Sequence, residues 1–164
     1  MAEQLIFGRM PVLALRGIVI YPEQTVHFDI GRVKSALALE AAMKHDQMLF
    51  LVPQKEILDD DPDMSGLYSV GTIVKVKQIL KSQGENIRVL VDGLHRAKLT
   101  ELSQMNPYLA GTVETIAIPD VTDTMRLRVL RREANSLYAN YLEFVERPAQ
   151  AVQLRLMVSD DCGF

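Results

Sequence analysis

The sequence predicts an α+β fold: a mostly antiparallel barrel or sandwich of about six or seven strands with one inserted helix, followed by helices at the C-terminal end. Three observations predict it. Short apolar runs and alternating segments dominate as far as Ile118, the pattern of strands. One Ala- and Leu-rich stretch among them recurs at helical spacing. After Pro119 the texture changes: all seven lysines lie at or before Lys98, and large apolar residues then step by three and four. Residues 1–118 therefore read as a β-rich domain and 119–164 as the start of a helical subdomain that stops inside helical sequence.

Taken in order, Met10 to Leu15 is an apolar strand closed by Arg16-Gly17, and Ile18 to Tyr21-Pro22 is a connecting loop. Thr25 to Ile30 alternates, with Val26, Phe28 and Ile30 on one face, as a half-buried strand does. Val33, Ala36, Leu37, Ala41 and Met43 predict a helix over 33–45. Met48 to Val52, a continuous apolar run stopped by Pro53, is long enough only for a strand buried on both faces. Tyr68 to Leu80 alternates until Ile79 and Leu80 break the phase, which predicts a bulge near Lys77. Ser82-Gln83-Gly84-Glu85 is turn chemistry, and Ile87, Val89 and Val91 complete a hairpin. Asp92-Gly93 reads as another tight turn, followed by strands over 94–102 and 108–118 separated by Asn106-Pro107. Leu130, Ala134, Leu137, Tyr141 and Val145 form one stripe of a long helix over 122–146. A second helix starts near Pro148, with Val152, Leu156 and Met157 as its apolar face.

The 164 residues carry 18 basic and 21 acidic side chains, a net charge of -3, which gives no overall electrostatic footprint for nucleic acid or an anionic membrane. No apolar run approaches the ~20 residues of a membrane helix, and the first residues lack the pattern of a secretory signal. A cytoplasmic location is the expectation, and the single cysteine, Cys162, fits a reducing compartment.

Catalytic constellations are absent from the sequence pattern. There is no G-x-x-x-x-G-K-[ST] loop for a nucleotide phosphate and no G-x-G-x-x-G after a strand. Asp59, Asp61 and Asp63 imitate an EF-hand opening, but Met64 and Val70 stand where glycine and glutamate are required. His27, His45 and His95 lie in separate elements without ligand spacing. Ser35 and Lys34 are helix neighbours about 100° apart and cannot face each other. Neither a catalytic residue nor a metal site is expected.

Arg32 and Lys34 stand at the start of the predicted helix, where the macrodipole disfavours cations. They are either solvated charges paired with Asp29 or Glu40, or a basic contact point for a polypeptide. Ile18, Val19, Ile20 and Tyr21 are either core or an exposed apolar loop.

Several segments, in order, resemble the N-terminal domain of the bacterial ATP-dependent Lon protease family. They are Pro11 to Arg16, Tyr21-Pro22, Gly31-Arg32 through Lys34-Ser35, Leu39 to Met43, Val70-Gly71-Thr72, and Val89 to Ala97. The resemblance covers about Met10 to Ile118, with departures at Ala14, Gly17 and Val33. It implies a PUA-like pseudo-barrel that serves as the non-catalytic substrate-recognition and assembly part of a hexameric ATP-dependent serine protease. In that family ATP and Mg belong to an AAA+ module, and a Ser-Lys dyad to a protease module. Neither module is in this sequence, so no cofactor is expected here.

The implied partners are unfolded or degron-bearing proteins and other Lon subunits, with no membrane. Candidate substrate contacts are Ile18, Val19, Ile20, Tyr21, Arg32 and Lys34, together with Met64 and Met105, whose flexible thioethers suit varied apolar partners. The alternatives are an RNA-binding module, needing a basic surface from Lys75, Lys77, Arg88 and Lys98, and a purely structural oligomerisation domain. The stripe of Leu130, Leu137, Tyr141 and Val145 is expected to drive self-association, with a two-fold dimer as the simplest product.

Overall fold

A computed structural model describes residues 7–81, 87–117 and 124–144. The chain divides into two compact units, Met1–Ala117 and Ile118–Phe164. The first contains strands β1 (Phe7–Leu15), β2 (Thr25–Ile30), β3 (Met48–Pro53), β4 (Val70–Lys81), β5 (Ile87–Gln104) and β6 (Ala110–Thr115), with helix α1 (Val33–Met43) between β2 and β3. The second contains α2 (Met125–Leu142).

The strands form one sheet in the order β2-β5-β4-β3-β1-β6, and a further β5–β6 pairing curls it back on itself. All pairs are antiparallel except β1–β3, where Val12–Leu15 run alongside Phe50–Pro53. A parallel pair needs a crossover, and the path through β2 and α1 provides it.

β3 shows why its sequence is continuously apolar. Leu49 and Leu51 point into one core, with Leu13, Leu15, Phe28, Ile30, Leu39 and Val91. Phe50 and Val52 point into another, with Val12, Leu67, Ile73, Leu99 and Val113. A strand buried on both faces cannot alternate in polarity.

Two details of the sheet differ in how the sequence foretells them. The β4–β5 register slips between Val76 and Gln78, so the bulge lies at Lys77, where the phase of the sequence breaks. The turn expected at Asp92-Gly93 is not there: β5 runs unbroken for 18 residues through both. Gly93 lies instead beside a second slip, opposite Val74, and in contact with the loop backbone at Tyr21 and Pro22. The glycine admits a close backbone approach. The β4–β5 turn over 82–85 lies outside the described residues.

α1 forms over the residues expected, yet with its buried side elsewhere. Ser35, Ala38, Leu39 and Ala42 are the buried positions. At about 100° per residue Val33 and Leu37 lie on almost the opposite side, Ala36 and Met43 lie on the flank between, and Ala36 also packs against the first core. The helix is apolar on two faces, and only one is covered by the sheet. In the second unit, Thr124 caps α2 by accepting a hydrogen bond from the Leu127 N–H at 3.2 Å. Val145 and the helix expected after Pro148 lie outside the described residues.

Candidate functional site: two adjoining clefts at Arg32

The loop over 54–67 is built on Gln54, a buried polar residue. Its Nε2 donates to the carbonyls of Glu56 (2.5 Å) and Asp59 (2.9 Å), and its Oε1 accepts from Arg32 Nη2 at 2.9 Å. The three aspartates that imitate an EF-hand are used otherwise. Asp63 Oδ1 caps the turn through the N–H groups of Ser65 (2.8 Å) and Gly66 (3.0 Å), while Asp59 Oδ1 accepts from the Asp61 N–H at 3.0 Å. Among the described residues no group of three His, Cys, Asp or Glu side chains is placed to hold a metal ion.

The basic pair at the start of α1 is drawn into this scaffold, and neither partner is the one expected. Lys34 Nζ pairs with Asp61 at 2.5 Å, and Arg32 donates to the carbonyls of Ala14 (2.7 Å) and Asp60 (3.4 Å) as well as to Gln54. Asp29 instead binds Arg88, and Glu40 binds Lys44. Burial, and next the proximity of Arg16, pull the Arg32 guanidinium below its usual range.

Two clefts meet at Ile30, Gly31 and Arg32. The first, about 680 Å³, lies between the end of β1 and β2 and is lined by Arg16, Arg32, Arg88 and Asp29 over a floor that includes Leu13 and Phe28. The second, about 670 Å³, runs along the uncovered face of α1 between Val33, Leu37 and Met43 and the strand residues Ile79 and Ile87. Val33 is 75% exposed, Met43 37% and Ile79 38%.

The other candidates are scattered. Ile18 lines the first cleft, and Val19 and Tyr21 are exposed on the same loop. Ile20, only 4% exposed, packs with Leu15 and Phe28 and is a core side chain, not part of an exposed loop surface. Its carbonyl is also fixed, accepting from Thr72 Oγ1 at 2.5 Å. Met64 is exposed on the acidic loop. Met105 packs against the second core, since the β5–β6 connection folds it inward. Of the basic residues considered for RNA, Lys77 pairs with Asp92 at 2.9 Å and Arg88 with Asp29 at 2.7 Å, so half of that charge is locally neutralised.

Sequence reasoning missed the second cleft. Its signals were the double-sided apolar pattern of α1 and the adjacent aliphatics Ile79 and Leu80 just after the bulge, neither of which fits a single buried face.

Residues 9–161 match the family model described as the ATP-dependent protease La (LON) substrate-binding domain. The chain is 43% identical over 124 residues to Lon protease 1 of Bacillus subtilis, covering 76% of this chain and 16% of that protein. It is 36% identical over 152 residues to Lon protease of Escherichia coli K12, covering 93% and 19%. Among solved structures, the N-terminal domain of Mycobacterium avium complex Lon protease superimposes with a TM-score of 0.66 at 20% identity, over 94% of this chain and 76% of that one. A Lon N-terminal domain protein from Xanthomonas campestris gives 0.58 at 12% identity, over 80% and 74%. The chain thus spans less than a fifth of the length of these two curated relatives.

Proposed function

From the premise that the chain belongs to the Lon substrate-binding domain family, a non-catalytic N-terminal domain engaged in substrate recognition, we propose that it captures unfolded polypeptide in the apolar cleft along α1. The whole protein is then an ATP-dependent cytoplasmic serine protease that degrades misfolded and regulatory proteins. This domain holds the chain while a separate ATPase module pulls it in. Neighbouring copies associate through the apolar stripe of α2.

One observation carries the reading: the second apolar face of α1, which opens beside Ile79 and Ile87. Arg32 and Glu40 line part of the cleft, but most of its lining is aliphatic, and an adaptable apolar surface suits many sequences. Titration with a fluorescent, reduced and denatured protein tests it. Val33→Asp with Met43→Asp is expected to weaken binding about tenfold, the equivalent of ~1.4 kcal/mol, with little change in thermal midpoint because both side chains are exposed. Unchanged binding by a folded double variant overturns the reading.

A further inference from the structure

β6 closes the sheet along only part of its length. It pairs with Phe7–Pro11 of β1 and with the second half of β5. Among the described residues, Leu13–Leu15 of β1 pair with β3 alone, and β2 pairs with β5 alone. The polar cleft separates these two strand edges, bounded by Leu13–Arg16 on one side and His27–Ile30 on the other.

Backbone groups face that opening from both sides. Successive residues of an antiparallel ladder alternate in direction, so every second residue of β2 turns its N–H and C=O away from β5. On β1, the Leu15 carbonyl accepts from the Gln54 N–H at 2.9 Å on the β3 side. The alternation puts the Ala14 carbonyl on the opposite side, where Arg32 Nη2 reaches it. An unpaired edge is a template for an added strand.

Charge selects the chemistry of that strand. Arg16, Arg32 and Arg88 line the cleft against one carboxylate, Asp29, which Arg88 already holds. Arg32 directs its hydrogen bonds at neutral oxygens, while the carboxylates of Asp59, Asp60 and Asp61 act on its charge from the adjoining loop without a hydrogen bond to it among the described residues. Arg16 pairs with an exposed Asp60, a contact for which water competes. Arg32 is also the N-cap of α1 and provides no side-chain cap, so the positive end of the helix adds to the same field.

We propose that the opening between β1 and β2 is a strand-addition site for an extended polypeptide segment bearing Asp or Glu side chains. The segment pairs with β2 while a carboxylate meets Arg32 and Arg16. This deepens the substrate-capture reading and rests on it, because the adjoining apolar cleft shares Ile30, Gly31 and Arg32.

The test titrates the full chain with an N-acetylated, C-amidated peptide of alternating Val and Glu, with its Val-Gln counterpart, and with a Val-Glu version N-methylated at alternate residues. Capping removes terminal carboxylates as a source of affinity. The Glu peptide is expected to bind about tenfold tighter than the Gln peptide and to slow amide exchange in β2, and N-methylation abolishes binding. Arg16→Gln and Arg32→Gln each reduce the preference for Glu, and Arg16→Gln decides the matter if Arg32→Gln does not fold. Equal binding of the Glu and Gln peptides, tolerance of N-methylation, or unprotected β2 amides overturns the proposal. Loss of peptide binding while denatured protein still binds overturns strand addition and leaves capture along α1 standing. Peptide binding with β2 protection, when denatured protein ignores the Val33 and Met43 substitutions, supports the strand site and overturns capture along α1.

Discussion

The backbone carbonyl of Tyr21 lies directly over the α-carbon of Gly93, leaving no space for a Cβ. Around that contact the Glu23 N–H donates to the Gly93 carbonyl at 2.9 Å and the Gly93 N–H donates to the Gln24 carbonyl at 2.8 Å. The loop carrying Ile18, Val19 and Tyr21 is therefore pinned to the middle of β5. Backbone cannot swing aside as a flexible side chain can, so Gly93→Ala is expected to cost about 1–3 kcal/mol or more, read from urea denaturation. Gly8→Ala, where nothing lies nearby, is the control and should leave the midpoint almost unchanged.

Gln54 joins Arg32 to three carbonyls of the acidic loop or its approach. Gln54→Leu keeps much of the volume and removes every one of those bonds, leaving a half-buried guanidinium short of an acceptor. The expected loss is about 1–3 kcal/mol, together with faster cleavage after Lys55 in limited proteolysis. An unchanged denaturation midpoint and an unchanged cleavage rate contradict this role for Gln54.

Stability is expected to fall in acid. The hydrogen bond from Arg88 lowers the Asp29 carboxyl below its ordinary 3.8, and those from Lys77 and then Thr25 do the same for Asp92. Lys44 lowers Glu40 below 4.5. Carboxyls with depressed folded-state values contribute stability that is complete above the unfolded-state value and is lost as pH falls through the folded one. The thermal midpoint should thus be insensitive to these groups near neutral pH and decline once pH drops below the ordinary carboxylate values. Asp29 and Glu40 are exposed and Asp92 is partly exposed, so each share is small. Asp29→Asn with Asp92→Asn should flatten the decline in a scan of thermal midpoint against pH.

What the sequence reveals about this fold depends on how local the cause is. The two-faced burial of β3 and the bulge at Lys77 are written in neighbouring residues, because polarity and phase are local properties of a strand. Gly93 misleads because Asp-Gly carries turn chemistry, while the reason for this glycine is a carbonyl more than seventy residues earlier in the chain. Ile20 likewise has neighbours in the loop that are exposed, and only the packing of Leu15 and Phe28 around it makes it core. The uncovered face of α1 was hidden by its own composition, since a helix apolar on two sides does not say which side the sheet takes. Arg32 could be recognised as unusual at a helix start, but its acceptors come from Ala14, Gln54 and Asp60, and no spacing rule joins those positions.

α2 presents the last test. Leu130, Leu137 and Tyr141 fall on one stripe and are 52%, 63% and 58% exposed. Each large side chain is worth roughly 1.5–3 kcal/mol when fully buried, an upper estimate for a partly covered surface. A self-complementary stripe on a helix can pair with its own copy around a two-fold axis, and Tyr141 brings an aromatic neighbour, Tyr138, at 6.2 Å between ring centroids. Sedimentation of the full chain should therefore show a mass that rises with concentration. Leu130→Glu with Leu137→Glu should return it to a monomer, because two carboxylates would have to lose their water inside the interface. The same variant should leave Val-Glu peptide binding intact, since the strand edges of β1 and β2 belong to the other unit of the chain. A wild-type chain that stays monomeric at high concentration, or a double variant that still dimerises, removes α2 from any role in assembly.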